Sequence, residues 1–510
     1  MCCKSVLSIA EQRSEFNEKI TGTVTGYKNF KKRLTNDMHH SIIKSQSNRL
    51  LYRLHKRKHL KRHDERKENR MRKRVITALA MGVLALSLTG CQKSTPKPGS
   101  IAGYDKGEQY LSIWVHSIED TDEGRCYREA VDAFNKKYDG TYFADIEFIP
   151  RNDSGGGYSD KINASVMSGD LPDVLTVDGP NIAAYASNGI IQPLAKLTEK
   201  EKSVYLQSII DQGTYKDKLY ALGAMESSVG LYYNKDILKE AGISIPDADH
   251  PWTQSQFLDI LTKLKPVMDK KNGYVLDMTF PVGEATIYYY APFFWSNGGN
   301  MVDETGLSVD GVFNSKENVK TVSYFQSLLK NKYMSKVPID HLFESGRAAF
   351  KIDGAWEVNT LYTSYPDVSF GVAPYVVGDS WNGERYAPTG SWAFAASSKT
   401  KHIKGATELV KWMSGVDSGK RLWEKSKSFP STYEAYESID VFQKDENYKA
   451  LYYQLSNYGH PRPKTPAYPQ VSTSFQQVLE NCVLSGFDPQ EQLDKSVERI
   501  NAKLKRYTLE

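Results

Sequence analysis

The chain predicts an α/β fold, on three observations. Apolar runs of strand length, 110–116 (YLSIWVH), 142–148 and 173–177, are separated by stretches whose apolar residues recur at helical spacing. That alternation of strand and helix is the pattern of a largely parallel sheet with helices on its faces. And 510 residues, 40% of them apolar and 25% charged, suffice for about two to three domains.

Taken in order, residues 110–116 read as a buried strand, and Cys126, Ala130, Val131 and Phe134 then mark one face of a helix. A strand follows at 142–148, a helix at 158–167 closed by Gly169, and a strand at 173–177. In such sheets ligands sit at the carboxyl ends of the strands. Residues 231–365 are mostly helical by pattern, and Leu493, Val497, Ile500 and Leu504 lie on one face of a helix over 492–504. No internal repeat, low-complexity array or coiled coil is present.

Charge divides the chain. Residues 1–70 hold 18 Lys+Arg against 7 Asp+Glu, and 71–90 add three bases and no acid. That leaves 45 bases and 54 acids, a net −9, for residues 91–510, so a nucleic-acid partner is not expected. Met71-Arg72-Lys73-Arg74 precedes fourteen uncharged residues, 75–88, and then Leu88-Thr89-Gly90-Cys91. Fourteen helical residues span roughly 21 Å, short of a roughly 30 Å hydrocarbon core, so 71–90 reads as a signal peptide and not a membrane span. The Leu-Thr-Gly-Cys ending resembles the lipobox of bacterial lipoproteins, which implies lipidation at Cys91 and a membrane anchor without a transmembrane helix. The competing reading is a short core helix that happens to end in cysteine. Residues 1–70 are then an upstream extension, read as a mis-called start; the alternative is a basic cytoplasmic or nucleic-acid-binding arm. Residues 91–109 form the lipidated tether, with QKSTPKPGS at 92–100 extended by its two prolines.

Beyond residue 110 the motifs carry a resemblance. Pro172-Asp173-Val174-Leu175 followed by Gly189-Ile190-Ile191-Gln192-Pro193-Leu194 is similar to a signature of the bacterial extracellular solute-binding protein family 1, the maltose-binding-protein-like sugar receptors of ABC importers. Leu231-Tyr232-Tyr233-Asn234-Lys235, Ala241-Gly242-Ile243, Pro251-Trp252-Thr253, Asn297-Gly298-Gly299, the run from Phe343 to Phe350 into Asp353-Gly354-Ala355-Trp356, and Pro463, Pro466 and Pro469 follow in the family's order. The resemblance implies a two-lobed periplasmic-binding-protein-like (type II) fold with a hinge and an interlobe ligand cleft. Lobe 1 would comprise 110–223 and 375–430, and lobe 2 would comprise 224–374 and 431–510. The crossings would fall near Gly223–Met225, Ala373–Pro374 and Phe429–Pro430, and closure would be a hinge motion. It further implies a monomeric, non-catalytic receptor, lipid-anchored on the extracytoplasmic face of the cell membrane. Such a receptor hands a di- or oligosaccharide to ABC permease subunits, with no cofactor.

A sugar site needs flat aromatics for the ring face and polar groups for the hydroxyl rim. Trp114 and His116 end the first strand, where the family's first ligand loop lies; Trp114 reads equally as sheet core. Asp178 and Asn181 follow strand 173–177 at its carboxyl end, although Asp-Gly-Pro-Asn is also plain turn chemistry. Glu226, Ser227 and Ser228 lie just past the first crossing, where the family places polar contacts. Trp356 matches the family's stacking position. In the run Tyr288, Tyr289, Tyr290, Phe293, Phe294 and Trp295 a helix faces all ways, so about two of the six reach a cleft; Tyr288 and Trp295 are taken as those two. Ser391 and Trp392 follow Gly390 at the family's glycine-rich strand entry, and Trp392 departs from the small residues common there. Phe475 stands where the family often has an aromatic, with core as the other reading.

Other chemistries find no signature. Ser154-Gly155-Gly156-Gly157 lacks the Gly-Lys-Ser/Thr of a phosphate loop. Cys126 and Cys482 are expected as buried free thiols, and no His/Cys spacing suits a metal. Two alternatives stay open: a surface enzyme acting on polysaccharide, which would need a general acid and base, and the same receptor fold for a non-sugar solute.

Overall fold

The computed structural model describes residues 102–105, 107–151, 157–278, 283–380 and 384–508. The upstream extension, the signal segment, Cys91, the tether over 92–100 and the serine-glycine stretch at 154–156 lie outside the described residues. The strands that build the site are β1 (Gln109–Val115), β2 (Tyr142–Phe148), β3 (Val174–Asp178), β4 (Ala221–Gly223), β5 (Val229–Asn234), β6 (Tyr274–Asp277), β7 (Ala348–Gly354), β8 (Phe370–Ala373), β9 (Ala387–Thr389), β10 (Trp392–Ala396) and β11 (Gly459–Pro461).

The first sheet has the order β2-β1-β3-β10-β4. Strands β1, β2 and β3 run parallel, with Gln109 opposite Tyr142 and Ile113 opposite Val174. Strand β10 returns antiparallel, Trp392 opposite Asp178 and Ala396 opposite Val174, and β4 pairs antiparallel to it. Leu111, Ile113 and Val115 are fully buried on one face of β1. In β3 the run Val174-Leu175-Thr176-Val177 is buried throughout, as a central strand covered on both faces requires. The helix Asp122–Lys137 starts where the Thr121 side chain accepts from the Gly124 N–H, carries acids in its first turn and lysines in its last, and buries Cys126, Ala130, Val131 and Phe134. The helix Tyr158–Ser168 ends at Gly169, whose φ of +80° is open to glycine at little cost.

The second sheet has the order β8-β5-β7-β6; β5 is antiparallel to both β8 and β7, while β6 runs parallel to β7. The stretch expected to be mostly helical therefore also supplies three strands. Burial explains this: Ala348, Ala349 and Phe350 are fully buried, a continuous apolar run whose length suits a strand as well as part of a helix. Behind this sheet pack the helices Gln254–Lys270, Ala285–Trp295, Lys316–Lys330, Tyr468–Leu479 and Pro489–Thr508, in one core that includes Leu493, Val497, Ile500 and Leu504.

The chain leaves the first sheet at Gly223 and enters the second at Val229; it leaves the second at Ala373 and returns at Trp392. Tyr375 and Val376 stay in the second lobe's core, whereas Tyr436, Phe442, Tyr448, Leu451 and Leu455 pack in the core that includes Leu111, Ile113 and Val115. Cys126 and Cys482 are buried free thiols, and burial pushes them up to about 11 and about 12. Among the described residues no helix is long and apolar enough to cross a membrane, and no cluster of His, Cys, Asp and Glu is arranged to hold a metal ion.

Candidate functional site

Asp178 ends β3, the position where an α/β sheet offers its ligand site. Its carboxylate accepts from Arg462 Nη2 at 3.4 Å. Arg462 is the centre of the arrangement. Its side chain is 4% exposed, Nη1 donates to Glu284 Oε1 at 2.5 Å, and Nη2 also donates to the Gly390 carbonyl at 2.9 Å. The guanidinium lies 5.0 Å from the centre of the Tyr288 ring. Opposite charges and the aromatic face more than offset burial, so the Arg462 cation is held more firmly than usual. Glu284 also accepts from Tyr468 and from Ser472, the latter at 2.8 Å; burial nonetheless raises its carboxyl above the ordinary range.

Tyr288, on the helix Ala285–Trp295, donates to Ser227 Oγ at 2.8 Å, and burial raises its phenol. Trp356 stacks beside it, ring centres 6.4 Å apart and planes 19° apart. Trp356 is 48% exposed, a large apolar surface left to solvent. It caps the start of the helix Glu357–Ser364 and folds back over Gly354, where a Cβ would stand 2.2 Å from the indole. Tyr289 donates to Asp353 Oδ1 at 3.2 Å and also lies against Trp356. Gly390 has φ +107°, and a Cβ there would stand 2.0 Å from Gln212 Nε2 and 3.2 Å from Arg462 Nη2, so a side chain would displace Gln212 and press on the arginine. Trp392, Asp178, Arg462, Tyr288 and Trp356 thus form one connected line from the first lobe to the second.

The other predicted site residues divide. Ser227, on the first crossing, joins the line through Tyr288, and Ser391 supports it by accepting the Gly179 N–H at 2.9 Å. Asn181 closes the single turn after Asp178 and is partly exposed. Glu226 is corrected from ligand contact to hinge support. It is 1% exposed; Oε1 accepts from Ser208 at 2.6 Å, and Oε2 accepts from the Ser227 and Gly390 N–H groups at 2.9 Å each. Its own N–H donates to the Phe429 carbonyl at 2.9 Å, so one residue ties the first crossing to Phe429 and, through its carboxylate, to Gly390. Burial raises its carboxyl despite those donors. Ser228 is fully buried, its carbonyl accepting from Ala355.

His116 is likewise buried, 1% exposed, with Nε2 3.0 Å from Glu123 and Nδ1 3.2 Å from Thr176 Oγ1. Burial lowers its basicity, and its ring lies flat on Trp392 at 3.5 Å with planes 8° apart. It therefore supports Trp392 where direct contact was expected. Trp114 packs half-buried in the small core around Tyr158 and Ile162, with Lys161 over its ring at 4.3 Å. Trp295 and Phe475 are core residues of the second lobe, Phe475 edge-on to Phe294 at 4.9 Å. Arg462 and Glu284 went unnoticed as site residues, and Tyr289, named in the aromatic run, was not one of the two taken to reach the cleft; the one signal for Arg462 is a cation between Pro461 and Pro463. A separate recess, walled by Pro292, Tyr375, Tyr386, Tyr453 and Tyr458, contains none of the predicted site residues.

Comparison with known proteins places these features. A family model described as bacterial extracellular solute-binding protein matches residues 129–450. A galactooligosaccharide-binding protein of Bacillus subtilis (strain 168) is 23% identical over 454 residues, covering 85% of this chain and 98% of the relative. A maltooligosaccharide ABC transporter solute-binding lipoprotein of Streptococcus pneumoniae (strain ATCC BAA-255 / R6) is 23% identical over 439 residues, covering 83% and 95%. Among solved structures, the cyclic alpha-maltosyl-1,6-maltose binding protein from Arthrobacter globiformis superposes with a TM-score of 0.66 at 19% identity, covering 78% of this chain and all of that one. The sugar-binding protein MalE from Xanthomonas citri gives 0.66 at 17% identity, covering 79% and 98%.

Proposed function

The chain belongs to the bacterial extracellular solute-binding protein family, and from that premise we propose that it is the receptor of a carbohydrate ABC importer. It captures a di- or oligosaccharide between its lobes and presents it to permease subunits. The observation that supports this reading is the line from Asp178 through Arg462 and Tyr288 to the half-exposed Trp356. It gives a flat apolar surface beside a fixed polar edge, with contributions from both lobes. Contacts drawn from two lobes stabilise the shut form only when ligand fills the gap between them. Relatives named for galactooligosaccharides and maltooligosaccharides favour the same class of cargo.

The receptor binds and releases without chemistry: Asp178 and Glu284, the acids flanking the line, both pair with one guanidinium, an arrangement for holding and not for proton transfer. It works as a monomer on the extracytoplasmic face of the cell membrane, anchored through lipid on Cys91, with 91–109 as tether. The hinge separates lobe 1, built on 110–223 and the strand returning at Trp392, from lobe 2, built on 224–374, crossing near Glu226; Tyr375 and Val376 go with lobe 2, and Tyr436 to Leu455 pack with the core of lobe 1, so the expected bounds at 375 and 431 shift accordingly.

A thermal-shift screen against mono- and oligosaccharides, polyols and sugar phosphates tests the reading. A ligand at 100 times its dissociation constant stabilises by about 2.7 kcal/mol. The expected result is a shift with one oligosaccharide class and recovery of that sugar intact. No shift with any saccharide, or recovery of cleaved product, overturns the proposal.

A further inference from the structure

Three cations near the line of site residues are committed. Arg462 is committed through Nη1 and Nη2 to Glu284, Asp178 and the Gly390 carbonyl. Lys351 holds Glu344, Asp353 and Glu357, and Lys161 pairs with Glu147. Arg151 differs. It is exposed, its guanidinium stands 5.5 Å from the centre of the Trp392 ring, and it forms no ion pair among the described residues. Glu123, the acid whose charge it feels, is already taken by His116 at 3.0 Å and Tyr127 at 2.8 Å.

Arg151 is placed by its backbone and by the ring beneath its guanidinium. The Arg151 N–H donates to the His116 carbonyl at 3.2 Å, which roots the residue at the carboxyl end of β1. Trp392, over which it lies, is held by the buried His116 ring and stands opposite Asp178 in the β3–β10 ladder. Directly paired residues of an antiparallel ladder project from the same face, so Trp392 and Asp178 share an edge. A guanidinium resting on an indole keeps its in-plane N–H donors free, and their fork matches the two oxygens of a carboxylate. A hydroxyl fills only one of those donors.

We infer that the cleft accepts an acidic oligosaccharide, a sugar unit at the Trp392–Asp178 edge presenting a uronate carboxylate to Arg151. The inference rests on the sugar-receptor reading and narrows its cargo. Isothermal titration of the purified protein tests it, using oligomers of galacturonate and of glucuronate, their methyl esters, and neutral maltotriose and galactotriose. The esters keep the ring and remove the charge. Wild type should bind an acidic oligomer at least tenfold more tightly than its ester, the difference shrinking with added salt. Arg151→Met should erase the difference and Arg151→Lys should keep part of it. Neutral saccharides binding as tightly as acidic ones, or a preference that survives Arg151→Met, overturns the acidic-cargo inference and leaves the receptor intact. Binding of no saccharide at all overturns the receptor reading with it.

Discussion

Replacing Arg462 with methionine tests whether the site is organised as described. The side chain is 4% exposed and answers two carboxylates, a carbonyl and an aromatic face. Methionine matches much of its bulk, so packing loss is small and the main effect is electrostatic: Glu284, its side chain 31% exposed, is left with only the Tyr468 and Ser472 hydroxyls. Removing one partner of a fully buried ion pair costs about 3–5 kcal/mol; with the Asp178 and Glu284 side chains 24% and 31% exposed, the expected loss in urea unfolding at pH 8 is smaller, about 2 kcal/mol. The sign of its pH dependence follows from Glu284. Its carboxyl is already raised by burial, and without the arginine it rises further, so the folded variant holds a proton that the unfolded chain releases above pH ~4.5. The destabilisation should therefore shrink as pH falls toward 5. Arg462→Met with Glu284→Gln should recover at least about 1 kcal/mol, because the orphaned charge is gone. A single variant within about 1 kcal/mol of wild type, or a double variant no better than the single one, refutes the assignment of Arg462 as the charge that holds the floor of the site.

Trp356→Ala should weaken oligosaccharide binding by about 2 kcal/mol or more while moving the unfolding midpoint little, since the ring is an anchor and half of it faces solvent; unchanged affinity removes it from the site. Glu357 is raised from 4.5 to about 7, chiefly by burial against the pull of Lys351. The folded chain thus keeps a proton there between pH 4.5 and 7 that the unfolded chain loses, and this group's contribution to stability falls as pH rises through that window. Glu357→Gln should flatten the fall, and a variant profile parallel to wild type refutes it. Cys91→Ser should move the protein from the membrane to the soluble fraction in cells, and continued retention counts against lipidation.

What sequence could and could not reveal follows from the range of the contacts. The strands β1, β2 and β3 and the helix Asp122–Lys137 were legible to within a residue or a turn, because their burial repeats over a few positions. Arg462 was not. In sequence it is a cation between two prolines, the composition of an exposed loop, and its burial comes from Asp178, 284 positions away, and Gly390, 72 positions away. Glu226 and His116 failed in the opposite sense. A polar residue at a strand end or a hinge crossing has the same local pattern whether it faces the ligand or the protein body. Only the donors already bound to it, Ser208 and two backbone N–H groups for Glu226, tell the two apart.

The aromatic run shows where periodicity itself stops being informative. Tyr288 and Trp295 are seven residues apart, two helical turns within about 20°, so a helical projection places them on one face and offers both or neither to the cleft. The rise of 1.5 Å per residue separates them by roughly 10 Å along the axis. At that distance Tyr288 meets Ser227, Arg462 and Trp356, while Trp295 meets His460 at 4.5 Å and Tyr386 at 6.0 Å in a buried cluster. The hydrophobic pattern gives the angle of a side chain about the helix but not which neighbour lies at its height, and a binding site is defined by that neighbour.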